Sequence, residues 1–420
     1  MISINFPKIY AYIFGLAIFA YFSLIVTSKY SGYLILFILI LSLIGLLALR
    51  EKNKYDQKDL IFSIIFLLMP LVSLISFYQF NTEIRELDVN SRFLFVLPIY
   101  FFLRTFDLKS TLIVYGVALA AIIFGVLNIS SHFFGIQLID GFTKGTGIVS
   151  LYGSIFGISS LYFLRYSKNL FSIAFLSVSG FMGIATSLIM GGRGVWIAAI
   201  ITLILMFFIN PQGWNRLERF FITFLFFVLF VVSFAIPQTG VLERTKNAVI
   251  GITEYTTNGN SDLRRGPSVQ ERLEMWKSSI YIIQENPFLG IGENNFKLAN
   301  KKLIDNGLIK SGIAGYNHPH GQFFSTLVEN GIIGFIALLM LLFYPLLECF
   351  RLIKNQFEIF TDEIRDLTSL LLIITLHYLF YALSNGIFDH QNTTLFYSAM
   401  VAILLGILRN KVSKDSNSAA

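Results

Sequence analysis

Apolar residues fill the chain in long runs that are broken at short intervals by polar clusters. Runs long enough to cross a hydrocarbon core as helices fall near 9–27, 33–49, 60–80, 93–106, 111–131, 146–164, 170–190, 194–210, 220–236, 326–348, 367–384 and 395–408. None alternates as a barrel strand would, and a span must satisfy its own backbone, so each run is expected to be helical. The pattern predicts an all-α polytopic membrane protein with about 12 transmembrane helices. Three parts follow: helices one to nine over residues 1–236, a large polar loop over 237–325, and helices ten to twelve with a short tail over 326–420. Within the loop, Thr253 to Arg265 reads as a mobile polar stretch. A helix follows, with capping-box spacing from Ser268 to Glu271 and an apolar stripe of Leu273, Trp276, Ile280 and Ile283, and it ends at Pro287.

Composition sharpens this picture. Only 14% of the 420 residues are charged, whereas a soluble protein carries about 25%. The run at 9–27 is followed at once by another, so it reads as a first helix and not as a cleaved signal peptide. Cys349 is the single cysteine, so the loop is expected to be held by packing without an internal disulfide. A net charge of +7 does not argue for nucleic acid, because basic residues flanking membrane helices are its ordinary source. If the N-terminus is cytoplasmic, the inside segments hold 17 of the 32 basic residues and the short outside loops hold 5, the rest lying in the long loop. That bias places both termini inside and the long loop outside.

No Asp, Glu or Lys stands mid-helix, which argues against an ion-coupled transporter; His377 is the main polar exception. Candidate chemistry gathers instead at the outer ends of the helices. Gly191-Gly192-Arg193-Gly194 leaves Arg193 at a helix start, where unpaired N–H groups and a guanidinium suit a phosphate; an arginine touching lipid headgroups is the alternative. Arg264, Arg265 and Arg272 stand in the long loop, Arg272 on the firm base of a helix, and forked donors of this kind fit a diphosphate. For Arg264 and Arg265 ordinary loop solubility competes. Two of the five histidines, His318 and His320, stand together in Asn317-His318-Pro319-His320-Gly321-Gln322 just before helix ten. A neutral histidine can accept a proton from a hydroxyl near pH 7. A metal site is the competing reading, but no third ligand has useful spacing and no Asp-x-Asp pair occurs, so no metal is expected. Gly290-Ile291-Gly292-Glu293 follows a helix and lacks a third glycine, which removes a dinucleotide loop.

These residues together resemble the O-antigen ligase and polymerase superfamily. The resemblance rests on Arg193-Gly194 at a helix start, on Arg272 with Trp276 followed by the segment Asn286 to Phe296, and on His320 followed by Gly331-Ile332-Ile333-Gly334. It covers residues 191–334, and the remaining helices match in number and arrangement. Gly321 departs from the Asn, Ser or Gln usual after the histidine, and Gly192 stands where serine is common. The resemblance implies a C-type glycosyltransferase fold in the bacterial inner membrane with its active site in the periplasm. It implies transfer of a polysaccharide from undecaprenyl diphosphate to a sugar hydroxyl of lipid A–core, with no cofactor. His320 would be the base, and Arg193 and Arg272 would hold the departing diphosphate. Arg265, Arg92 and Lys144 are further candidates for lipid-diphosphate contact, His318 for substrate contact, and Asp389 with His390 for orienting a partner. An O-antigen polymerase or an oligosaccharyltransferase acting on protein hydroxyls shares these features. A lipid-linked glycan flippase is the rival from another class.

Overall fold

The computed structural model describes residues 6–24, 28–48, 55–82, 84, 86–136, 146–167, 169–236, 240–257, 269–356 and 361–419. Among these the chain forms helices and no strand. The helices are α1 (Phe6–Leu24), α2 (Ser28–Ala48), α3 (Gln57–Phe80), α4 (Glu86–Phe95), α5 (Leu97–Leu103), α6 (Ser110–Phe134), α7 (Thr146–Tyr162) and α8 (Leu170–Met190). They continue with α9 (Arg193–Ile209), α10 (Arg216–Ala235), α11 (Val241–Thr257), α12 (Val269–Glu285), α13 (Phe296–Asp305), α14 (Gln322–Gln356), α15 (Asp362–Tyr381) and α16 (Gln391–Ala419).

Ten of them are long and apolar enough to cross a membrane: α1, α2, α3, α6, α7, α8, α10, α14, α15 and α16. The protein is an all-α, multi-pass membrane protein. Two expected spans take a different form. The run at 93–106 is divided, with α4 ending at Phe95 and α5 starting at Leu97, because Pro98 sits in the first turn of α5 and brings no backbone N–H. The run at 194–210 becomes α9, whose 17 residues make it a shorter apolar helix. Outward faces carry bare apolar side chains, for example Leu16, Tyr12, Leu47 and Phe208, as lipid contact requires.

Local sequence sets the ends of these helices. Asp56 accepts from the backbone N–H groups of Lys58 and Asp59 while Asp59 accepts from that of Asp56, a reciprocal cap at the head of α3. Asn215 and Glu218 do the same for α10. Helices α7 and α8 pack backbone to backbone through Gly153, Gly157, Gly180 and Gly183. A Cβ on Gly183 would lie 2.6 Å from the Cα of Gly157, so only glycine permits this approach.

α14 is not continuous. At Gly331 the backbone leaves helical space (φ 60°, ψ −159°), a left-handed φ that glycine adopts without steric cost. The carbonyls freed by the break accept from a crossing segment: Ile291 N–H donates to Val328 O (2.8 Å) and Gly292 N–H to Glu329 O (2.9 Å). Ile332 N–H donates back to Pro287 O (2.9 Å). A Cβ on Gly290 or on Gly331 would lie 2.4 or 2.2 Å from backbone of the opposing strand of chain. The Pro287–Glu293 segment and the Gly331–Gly334 segment are thus two halves of one backbone crossing.

The loop between α10 and α14 has its own small core of Met275, Ile282, Phe296, Leu303, Ile309, Ile313 and Val328, which joins α12 and α13 to α14. The buried face of α12 is not the expected stripe. It carries Glu271, Glu274, Met275, Ser278 and Ile282, while Ile280 is exposed. The polar members are buried because they have partners. Tyr316 OH donates to Glu271, Tyr255 OH and Lys310 N–H donate to Glu274, and Ser278 bonds Asn300. Ser268, the expected cap, lies outside the described residues, as does 258–265 of the stretch read as mobile; residues 253–257 complete α11.

Candidate functional site

The site lies where α9, α11 and α12 meet the head of α14 and the segment between α15 and α16. α8 closes at Gly191 in the left-handed conformation (φ 74°), Gly192 caps α9, and Arg193 is its first residue. The side chain of Arg244, from α11, lies directly over Gly191, where a Cβ would fall 1.0 Å from Arg244 Nη1. Arg193 Nη1 donates to the carbonyl of Arg244 (2.8 Å). Arg272, from α12, is close enough that it and Arg244 both repel the Arg193 charge. Burial pushes the Arg272 pKa below its ordinary value, with nearby Tyr381 and Tyr316 opposing the shift. Arg244 Nη1 and Arg272 Nε are buried without a hydrogen-bond partner. Among the described residues none of these three arginines pairs with a carboxylate. A confined group of unpaired cations at a helix N-terminus is a strong anion seat.

Gly192 fits here for a reason the sequence does not show. A Cβ at this position would lie 2.8 Å from the Cβ and Oγ of Ser150, so the serine beside this turn comes from α7. Ser150 Oγ is in turn held by Ser187 O (2.9 Å).

The histidines stand next to the arginines. His320 has φ 53°, an uncommon conformation for a residue other than glycine. The turn is held by Trp276, whose indole N–H donates to Pro319 O (3.1 Å) while its ring stacks on Phe324. The His318 and His320 rings are 4.4 Å apart, and Tyr316 lies edge-on to His320. Burial lowers the His320 pKa to about 4, with the charges of His318, Arg272 and His390 adding to the effect. His320 is therefore neutral at pH 7, and its Nδ1 is buried with no partner. His318 Nδ1 is 3.4 Å from Asp389 Oδ2. Burial raises the Asp389 pKa while His318 and His390 oppose the shift. Gln322 fixes this segment, since its N–H donates to Ala382 O (2.9 Å) and its Oε1 accepts from Phe388 N–H (2.7 Å).

The structure thus brings together Arg193, Arg272, His318 and His320, and adds Asp389 and His390 beside the histidines. Arg92 is elsewhere engaged, paired with Asp88 at 3.1 Å on α4. Lys144, Arg264 and Arg265 lie outside the described residues. His377, the polar exception within a span, is buried and uses both ring nitrogens, against Ser154 Oγ (2.9 Å) and Ile373 O (2.8 Å). Arg244 was not singled out by the sequence. Its helix was not read from the sequence either, although Val241, Thr245, Ala248, Val249 and Ile252 recur at spacings of one to four residues, and nothing marks Arg244 among the loop's other basic residues. Among the described residues no group of three His, Cys, Asp or Glu could hold a metal ion.

Fold and site together define a multi-pass helical membrane protein with three clustered arginines, free of carboxylate partners among the described residues, beside a neutral histidine. Residues 178–339 match the family model described as O-Antigen ligase. The matched segment runs from α8 into α14 and contains all three arginines and both clustered histidines. The chain is also similar to a protein of Haemophilus influenzae described as uncharacterized, 25% identical over 378 residues that cover 87% of this chain and 92% of the relative.

Proposed function

We propose that the protein is a glycosyltransferase of the O-antigen ligase type, moving a glycan from undecaprenyl diphosphate to a sugar hydroxyl of lipid A–core. The observation that carries this reading is the arginine group, without carboxylate partners among the described residues, set beside the unpartnered Nδ1 of His320. Arg193, Arg272 and Arg244 hold the donor diphosphate. His320 takes the proton of the acceptor hydroxyl as its oxygen attacks the anomeric carbon. The bond from that carbon to the diphosphate oxygen breaks, and the arginines receive the negative charge that leaves with it. A single displacement inverts the anomeric carbon. Donor binding also sets the base, because a diphosphate beside Arg272 offsets the positive field that depresses His320 and raises its proton affinity. The bundle is proposed to be a C-type glycosyltransferase fold in the bacterial inner membrane. Following the bias of basic residues, both termini are cytoplasmic and the 237–325 loop and the site face the periplasm.

The test uses purified protein in detergent with undecaprenyl-diphosphate-linked glycan, rough lipopolysaccharide and chelator throughout, comparing wild type with His320→Ala and His318→Ala. Transfer to the core that is lost in His320→Ala is the expected result. Chains that lengthen without reaching the core would identify a polymerase, and transfer to protein serines an oligosaccharyltransferase. Donor binding without any transfer by the wild type would overturn the enzyme reading.

A further inference from the structure

Beside His318, and lined by none of the three arginines, lies a cavity of about 190 Å³, many times the ~10–15 Å³ that one water needs. It is built by the backbone crossing at the α14 break, which sets Glu293 and Asn294 beside Glu329 and Asn330, and it is closed by Asn90 of α4, His318 and Asp389. Its polar walls are mainly carboxylates and amides, with no arginine or lysine among them, and Met69, Val89 and Phe388 add apolar surface. Two amide oxygens are unsatisfied there. Asn90 and Asn330 are only 8% and 5% exposed, and the Oδ1 of each is buried without a hydrogen-bond partner.

The Asn90 amide has a defined orientation. Ser73 Oγ donates to Glu293 Oε1 (2.7 Å), so it is left to accept from Asn90 Nδ2 (2.5 Å). The Asn90 oxygen is then the atom without a partner, and a buried acceptor without a donor is costly unless something supplies one. An anion is a poor occupant, since Glu293, Glu329 and Asp389 would repel it. A neutral group rich in hydroxyls fits, because each hydroxyl donates to an amide or carboxylate oxygen and its C–H face can lie on Phe388.

We propose that this cavity is the acceptor-sugar subsite, with Asn90 and Asn330 receiving hydrogen bonds from sugar hydroxyls while the donor diphosphate sits across the histidine pair on the arginines. The assignment rests on the proposed transferase reading and deepens it. Charge sorts the two substrates: the anionic donor is held by Arg193, Arg244 and Arg272, and the hydroxylated acceptor by a wall that rejects phosphate. His318, paired with Asp389 and lining the cavity, stands between them.

The test measures binding of core oligosaccharide, freed of lipid, and of undecaprenyl diphosphate to the full chain in detergent, for wild type, Asn90→Leu and Asn330→Leu. Each leucine variant is expected to weaken oligosaccharide binding about tenfold with diphosphate binding unchanged. Unchanged oligosaccharide binding in both variants, a loss confined to diphosphate, or no oligosaccharide binding by wild type would overturn the assignment. If a leucine variant loses thermal stability, a photoreactive core oligosaccharide on wild type decides. Labelling at 89–90, 293–294 or 329–330 supports the subsite, and labelling confined to α11 and α12 overturns it. Oligosaccharide held here by a wild type that transfers nothing would sink the transferase reading and leave the subsite standing. Transfer with an acceptor KM indifferent to both asparagines would do the reverse.

Discussion

The bundle holds two groups of arginines drawn in from solvent to different degrees, and they are built in opposite ways. At the end of α3 marked by Asp59, the clustered arginines Arg104, Arg351 and Arg409 each have an anion. Asp59 is met by Arg104 (3.2 Å) and Arg409 (3.3 Å), Arg409 also reaches Glu348 (3.1 Å), and Arg351 pairs with Glu348 (2.7 Å). Tyr100 and Tyr344 hydroxyls complete the network. Where α9, α11 and α12 meet, Arg193, Arg244 and Arg272 crowd together with no carboxylate partner among the described residues. A paired cluster is complete in itself and ties α3, α5, α14 and α16 together. An unpaired one gains most of its stabilisation only when an anion arrives. Burial alone does not mark a functional arginine; the missing counter-charge does.

The contrast can be broken by exchanging what each cluster is asked to do. The largest effect on stability is expected from Arg409→Ala, which leaves the buried Asp59 to Arg104 alone and Glu348 to the exposed Arg351 and should cost about 3 kcal/mol. Thermal unfolding in detergent would show it, with transfer per folded molecule retained. Next comes Arg272→Ala, expected to lower transfer by about 10²–10³ while leaving the unfolding temperature within a few degrees of wild type or raising it, since a repulsion is relieved. A large destabilisation in this variant would mean that Arg272 is structural, and the comparison would fail. Arg244→Gln should lower transfer roughly 10–100-fold, because its backbone carbonyl still holds Arg193. Steady-state kinetics would check this, with the same loss expected from Gly191→Ala, whose new methyl displaces the guanidinium. The smallest effect concerns pH. His320 accepts a proton only when neutral, so kcat/KM for the donor, which reports the enzyme before diphosphate binds, should be flat from pH 8 to about 5 and fall as pH drops through about 4. An acid limb centred near 6.5 would assign the base to another group.

Several features were legible because they depend on neighbours in sequence. Apolar run length fixed most of the spans, and the polar caps at Asp56 and Asn215 fixed where α3 and α10 begin. Arg193 at a helix start, Arg272 on α12 and the adjacent histidines were visible for the same reason. The stripe on α12 was misread because its buried carboxylates are satisfied by Tyr255, Lys310 and Tyr316, from other segments. The split of 93–106 followed from Pro98, whose effect on a run of otherwise continuous apolar residues depends on how α5 packs.

The sequence by itself determined that the chain is a many-helix membrane protein with one polar loop, and which few residues there can carry charge chemistry. Only the tertiary structure decided that Arg104 and Arg409, read as flanking cations, are paired in a buried network. It alone placed Arg244 over Gly191 and bound the glycines of 290–292 to the break at Gly331. It alone set a carboxylate-lined cavity beside His318. The physical reason is that charge compensation and backbone satisfaction are settled between segments distant in sequence, as Asp59 and Arg409 are. Hydrophobic run length and helix capping are settled within a few turns of chain.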